Sequence, residues 1–147
     1  MNTAEILDRV VAVCIDSEKR YRHAANDVDR SNLEAFFNRQ ADSRKQFGDE
    51  FEAERHRLGI DGKPSGTFSG FIDREALDFS VAMSKGDTGV VEWCRVDDEA
   101  VIDAYEKALA GSLPADLRTI IERQLIEIRR AVVKEQEILR LFGGPRS

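Results

Sequence analysis

Proline, cysteine and histidine are scarce in this chain of 147 residues, which holds three prolines, two cysteines and two histidines. Few prolines favour long helices, because proline breaks a helix interior. Cys14 and Cys94 are too far apart for a C-x-x-C motif, and we expect both to be small buried side chains. Glycine-rich phosphate loops and Ser-His-Asp motifs are also missing. The sequence therefore offers no recognisable motif for phosphate binding or nucleophilic catalysis.

Long apolar runs and blocks of basic charge are missing as well. No run approaches the roughly 20 apolar residues of a membrane-spanning helix, and the first residues, MNTAEILDRV, lack the basic-then-apolar order of a signal peptide. The net charge of −6, with no basic block to offset it, argues against nucleic-acid binding. We expect a cytoplasmic protein with neither nucleic acid nor membrane among its partners.

The composition is that of one helical domain. Hydrophobic residues make up 41% and charged residues 34%, with abundant Ala, Leu, Glu and Arg. A chain of this length buries about two-thirds of its unfolded surface. We predict a single domain over residues 1–144, followed by a mobile tail at 145–147.

Capping signals and apolar periodicity predict four long helices. The first begins at a Thr3 cap and ends near Asn26, and the second is capped by Ser31 and ends before Gly59. The third begins near Asp87 or Thr88 and ends at Gly111. The fourth follows a Ser112 cap with Pro114 in its first turn, and ends at Gly143.

The long connection between the second and third helices distinguishes two bundle topologies. An alternating up-down bundle needs only a short link there, whereas a ferritin-like bundle has one long crossover. Residues 67–83 carry spaced apolar residues, which we interpret as a short helix inside the crossover. The predicted fold is all-α: a ferritin-like four-helix bundle with a long crossover between helices 2 and 3 that contains a short helix.

Two apolar stripes each contain one acid. Steps of three and four residues place one set on a single face of the first helix: Leu7, Val11, Cys14, Glu18, Tyr21 and Ala25. The same spacing in the third helix gives Val91, Cys94, Asp98, Val101 and Tyr105. Because a carboxylate is costly to bury alone, both acids are expected to face a cation, a metal or a proton.

Four segments carry a family resemblance that runs from Ile6 to Leu141: AEILDRVVAVCIDSEKRYRHAANDV, ADSRKQFGDEFEAERHRLG, WCRVDDEAVIDAYEKAL and LPADLRTIIERQLIEIRRA. The chain resembles a bacterial family of ferritin-like four-helix-bundle proteins of unknown function. Relatives tend to have Gly-Glu in place of Asp97-Asp98, and often a histidine in place of Val132. Both departures weigh against transferring a metal site to this chain.

The residues themselves also fit a ferritin-like di-metal site poorly. Such a site takes a Glu from each of two helices and Glu-x-x-His from each of the other two. Glu18 and Asp98 match the single-acid positions, but helix 2 presents Gln40, Ser43 and Arg44, and helix 4 presents Gln124, Glu127 and Arg130. His23 and His56 are near helix ends and are expected to be exposed. The residual metal candidates are Glu18, Asp98 and Glu127.

We predict instead that an arginine replaces the metal charge. Arg44 would pair with the central acids in a buried polar network that consists of Glu18, Tyr21, Gln40, Arg44, Asp98, Tyr105 and Gln124. On this hypothesis Glu18→Ala destabilises the fold more than an exposed Glu→Ala substitution, because Arg44 loses its partner.

Two functional classes follow. The favoured one is a non-catalytic interaction or stress-associated bundle with no cofactor, acting as a homo-oligomer such as a dimer or with an unknown protein partner. Surplus apolar residues would line the subunit interface: Phe36, Phe37, Phe68, Phe71 and Trp93. The alternative is an iron- or manganese-binding oxidoreductase or storage protein, which would need a complete acid and histidine set.

Overall fold

A computed structural model describes residues 2–60, 62 and 84–142 of the chain. They form four helices and, within those ranges, no strand: α1 (Thr3–Asp27), α2 (Ser31–Arg57), α3 (Gly86–Ala110) and α4 (Ala115–Phe142). The all-α prediction is therefore confirmed. The short helix predicted within residues 67–83 and the tail at 145–147 lie outside the described residues. None of the helices described is long and apolar enough to cross a membrane.

The helix ends follow local capping rules, with three corrections to the predicted caps. Asn2, and not Thr3, caps α1: its side chain accepts from the backbone N–H of Glu5 at 2.9 Å, and Glu5 accepts from the N–H of Asn2 at 3.2 Å. Ser31 does not cap α2 but is its first residue, and the side chain of the N-cap residue, Arg30, makes no capping hydrogen bond. Ser112 does not cap α4, which begins at Ala115 directly after Pro114. Gly59 follows α2 with a φ of 71°, a conformation that glycine adopts without strain.

A carboxylate from α3 supports the turn between α1 and α2. Asp87 accepts hydrogen bonds from the backbone N–H groups of Asp29, at 2.9 Å, and Arg30, at 3.2 Å. These two amides lie in the short connection between the helices, so the first turn of α3 is held beside that connection. The start of α2 and the start of α3 are therefore at the same end of the bundle.

Side-chain contacts give the direction of each helix. Cys14 of α1 contacts Tyr105 of α3, whereas Tyr21, later in α1, contacts Asp98, earlier in α3. These two helices are therefore antiparallel. The three-residue link makes α2 antiparallel to α1 as well. Accordingly, α2 and α3 point the same way, and α4 returns antiparallel to α3 after a short link.

The apolar core is divided into two parts along the bundle axis. One part lies towards the α3–α4 link and contains Ile6, Leu7, Val10, Val11, Phe47, Phe51, Leu117, Ile121 and Ile128, among others. The other lies towards the α1–α2 turn and contains Ala24, Ala25, Leu33, Phe36, Phe37, Val90, Val91 and Ile138, among others. Between them lies a layer of buried polar side chains, which positions the candidate site at the middle of the bundle.

Candidate functional site

Four buried polar side chains, one from each helix, meet in this layer. Tyr21 comes from α1, Arg44 from α2, Asp98 from α3 and Glu135 from α4, and each is at most 1% exposed. We refer to these four residues as the central cluster. Each is flanked by apolar residues one turn away on its own helix, so the packing of the two core parts holds all four side chains inward.

Arg44 and Asp98 form a two-pronged ion pair. The Nη1 atom of Arg44 donates to Oδ1 of Asp98 at 2.7 Å, and Nη2 donates to Oδ2 at 3.0 Å. The guanidinium carbon also lies 5.1 Å from the ring centroid of Tyr21. Burial lowers the pKa of Arg44, but the attraction and hydrogen bonds of Asp98, together with the influence of Tyr21 and Tyr105, raise it by more, so the pKa is raised overall. Arg44 therefore carries a permanent positive charge at the centre of the bundle.

The hydroxyl of Tyr21 connects the two acids of the central cluster. It contacts Oδ2 of Asp98 through a short hydrogen bond and lies 2.7 Å from Oε2 of Glu135. Burial raises the pKa of Tyr21 well above its ordinary value, and both neighbouring acids raise it further. The phenol therefore keeps its proton and bridges α1, α3 and α4.

Glu135 was missed by the sequence analysis. Its side chain is fully buried, and its pKa lies well above the ordinary value because of burial and, secondly, because of Asp98. The apolar stripe of α4 passes directly through this position, which is seven residues after Ile128 and three after Val132. The same spacing that identified Asp98 could have identified Glu135.

A second buried chain of hydrogen bonds lies beside the central cluster. Tyr105 donates to Oε1 of Gln124 at 2.7 Å, so the contact of 3.2 Å between Cys14 and Tyr105 uses the thiol proton. Burial raises the pKa of Cys14 to about 12, and the thiol is therefore neutral. Gln124 in turn donates to Oε1 of Glu50 at 3.1 Å. The chain links all four helices but holds no reactive thiolate.

Three of the predicted site residues lie elsewhere. Glu18 is 28% exposed and sits 3.6 Å from Arg22, so its placement at the centre was wrong. Ser17 is fully buried in its place, because the helical path from Cys14 to Tyr21 passes through position 17. The expectation for Glu18→Ala therefore loses its basis, and that variant should behave like a surface substitution.

Gln40 and Glu127 are the other two predicted site residues that lie outside the central cluster and the hydrogen-bond chain beside it. Gln40 is half-buried on α2, about one turn before Arg44, and is not part of the central cluster. Glu127 is exposed and pairs with Arg130 at 3.1 Å, so it is not a candidate metal ligand. Both expected exposed histidines, His23 and His56, are exposed.

The central cluster does not fit a di-metal centre. Among the residues the structure describes, no group of three or more His, Cys, Asp or Glu side chains could hold a metal ion. Both oxygens of Asp98 are already bound to the guanidinium of Arg44, whose charge would repel a divalent cation. The acid of the central cluster is instead paired with a cation that the chain itself supplies, the guanidinium of Arg44.

Comparison with known proteins identifies a family for this chain. No curated protein matches it. A family model described as "Domain of unknown function (DUF2383)" matches residues 2–111, a range that includes Tyr21, Arg44 and Asp98 and ends before α4. Because that match covers well over half of the sequence, the chain belongs to the DUF2383 family.

Proposed function

We propose that this protein is a ferritin-like bundle that works through its surface, as an interaction protein, and not through metal chemistry. The common direction of α2 and α3 supports the ferritin-like assignment. The end of α2 and the start of α3 then lie at opposite ends of the bundle. In ferritin-like bundles these two ends lie apart in this way and one long connection joins them, whereas in up-down bundles they lie together.

The observation that carries the proposal is the pairing of Arg44 with Asp98 at the centre. In a ferritin-like di-metal protein, inward-facing acids are neutralised by bound cations. Here a guanidinium, held by two hydrogen bonds, supplies the positive charge at that level of the bundle. The buried acid is then neutralised without a cofactor, and the catalytic role of such a centre is lost.

Metal analysis of the purified protein tests this proposal. Protein produced in medium supplemented with iron and manganese should contain far less than one metal ion per chain. Its melting temperature should not change on addition of Fe²⁺ or Mn²⁺, because a ligand that binds only the folded state would raise it. One or two ions per chain together with a raised melting temperature would refute the proposal and support the oxidoreductase or storage alternative.

We propose that the interaction partner is a second copy of the chain, bound at a groove between α1 and α3. The interface first suggested by the sequence needs correction, since Phe36 and Phe37 are both buried in the core of one chain, while Phe68 and Phe71 lie outside the described residues. A groove of about 190 Å³ between α1 and α3 is a better candidate. Its lining combines small and apolar residues with both signs of charge: Arg9, Val13, Asp16, Arg20, Asp97, Ala100, Val101 and Ala104.

Charge placement on α1 favours a two-fold interface over other partners. Arg9 and Asp16 both line the groove and lie about two turns apart, on either side of Val13. If α1 of a second copy crosses antiparallel near Val13, each Arg9 faces Asp16 of the partner subunit. Such self-complementarity is what a two-fold interface requires.

The reduced, buried Cys14 and Cys94 suit the reducing cytoplasm that we propose as the location of this protein.

A charge-swap experiment tests the dimer. Light scattering after size exclusion should give a dimer mass for the natural protein and a monomer-shifted mass for Arg9→Asp, because like charges then meet across the axis. The double variant Arg9→Asp/Asp16→Arg should restore the dimer. A natural protein that is monomeric at every concentration, or an unchanged mass for Arg9→Asp, would contradict this interface.

A further inference from the structure

The hydrogen bonds of the central cluster require one more proton than Tyr21 can supply. A phenol has a single O–H, yet its oxygen lies within hydrogen-bonding distance of a carboxyl oxygen on both Asp98 and Glu135. One of these two contacts must therefore use a proton that sits on a carboxyl group. Both oxygens of Asp98 already accept hydrogen bonds from Arg44, which leaves Glu135 to hold the additional proton.

We propose that Glu135 is a proton-binding site that is occupied at neutral pH. Its carboxyl group donates to the oxygen of Tyr21, and Tyr21 donates to Asp98. The cluster is then neutral overall, with Arg44 and Asp98 as its only charges. Release of the proton to solvent at higher pH leaves a second buried carboxylate next to Asp98, so the stability of the bundle becomes dependent on pH.

The surroundings of Glu135 on every neighbouring helix support this protonation state. Burial disfavours its anion most strongly, and Asp98 on α3 adds repulsion. The opposing influences, from the Tyr21 hydrogen bond and from two cations, are smaller, and the net pKa is raised well above the ordinary value. The titratable or charged groups that interact with Glu135 are Tyr21 on α1, Arg44 on α2, and Cys94, Arg95 and Asp98 on α3.

The second carboxyl oxygen provides independent support. Oε1 of Glu135 is buried and has no hydrogen-bond partner among the residues that the structure describes. An ionised carboxylate in the protein interior needs hydrogen bonds or a cation at both oxygens, since an unpaired buried charge is very costly. A neutral carboxyl group with one bonded oxygen costs much less.

The sign of the pH effect follows from linkage. The folded state keeps the proton on Glu135 at pH values where an unfolded chain, with an ordinary Glu pKa of about 4.3, has already lost it. Folded protein therefore binds more protons than unfolded protein, and stability falls as pH rises above that value. This loss of stability with rising pH continues until the pH exceeds the raised pKa of Glu135 in the folded protein.

Comparison with Glu135→Gln isolates this contribution, because glutamine keeps the shape and an N–H donor but cannot ionise. The ratio of folding equilibrium constants, variant over natural protein, should rise by up to about tenfold per pH unit from about pH 5 upward. Chemical unfolding across the pH range gives this ratio. Glu18→Gln makes the same change at a side chain that is 28% exposed and is the matched control, so the ratio for Glu135→Gln should rise more steeply with pH than the ratio for Glu18→Gln.

Infrared spectroscopy of the natural protein provides a test that needs no variant to fold. With ¹³C-labelled glutamate, a protonated carboxylic acid C=O band should be present at neutral pH and absent only at alkaline pH. A missing acid band at pH 7, or a ratio for Glu135→Gln that rises no more steeply than that of the control, would overturn the proposal.

Discussion

Replacing Arg44 with methionine is expected to lower the free energy of unfolding by about 3–5 kcal/mol at neutral pH. Methionine fills much of the space of the arginine stem but supplies no charge and no donor. The carboxylate of Asp98 then stays buried, at 1% exposure, without the two hydrogen bonds that now hold it. Urea unfolding followed by circular dichroism measures the change, provided that the slope with denaturant stays the same.

Two further variants separate the charge of Arg44 from ordinary arginine effects. Arg129→Met removes an exposed ion pair with Glu106, and should change stability by no more than about 0.5 kcal/mol. Arg44→Lys keeps the charge but cannot span both oxygens of Asp98, so it should fall between the natural protein and Arg44→Met. A loss for Arg44→Met no larger than that for Arg129→Met would contradict the central ion pair.

The helices and their inward faces were the most predictable part of this protein. Apolar periodicity predicts four long helices, because each must bury one face, and the described part of the chain contains four. Tyr21, Arg44 and Asp98 share their stripes with apolar neighbours, and the structure brings these three together. The partners were harder to identify, since periodicity indicates which side chains point inward but not which ones meet.

The position of Glu18 shows the limit of counting by three and four. Steps of seven residues fall slightly short of two full turns, so both position 17 and position 18 are compatible with the face defined by Cys14 and Tyr21. Packing decided in favour of Ser17, whose small side chain is buried, and left Glu18 near the surface with Arg22. The acid opposite Asp98 comes instead from α4, as Glu135. Spacing could have placed Glu135 on the inner face of α4, but only the packing of the helices shows that Glu135, and not Glu18, joins Asp98 at Tyr21.

Asp98→Leu is expected to cost about as much as Arg44→Met, roughly 3–5 kcal/mol, because it leaves the guanidinium buried without a counter-charge. It also removes the acceptor of the Tyr21 hydrogen bond. The loss of stability in each single variant is the cost of leaving one partner unpaired, and not the net contribution of the ion pair to stability.

The double variant Arg44→Met/Asp98→Leu should therefore recover most of the lost stability. In the double variant, two apolar side chains replace two charged side chains of similar volume, and such exchanges often leave the stability unchanged or raise it. A double-mutant cycle from urea unfolding should give a coupling energy of at least about 2 kcal/mol. Additive losses would show that the two residues act separately. Strong coupling with nearly natural stability would mean instead that the ion pair fixes which helices meet at the centre, with little net contribution to how strongly they hold together.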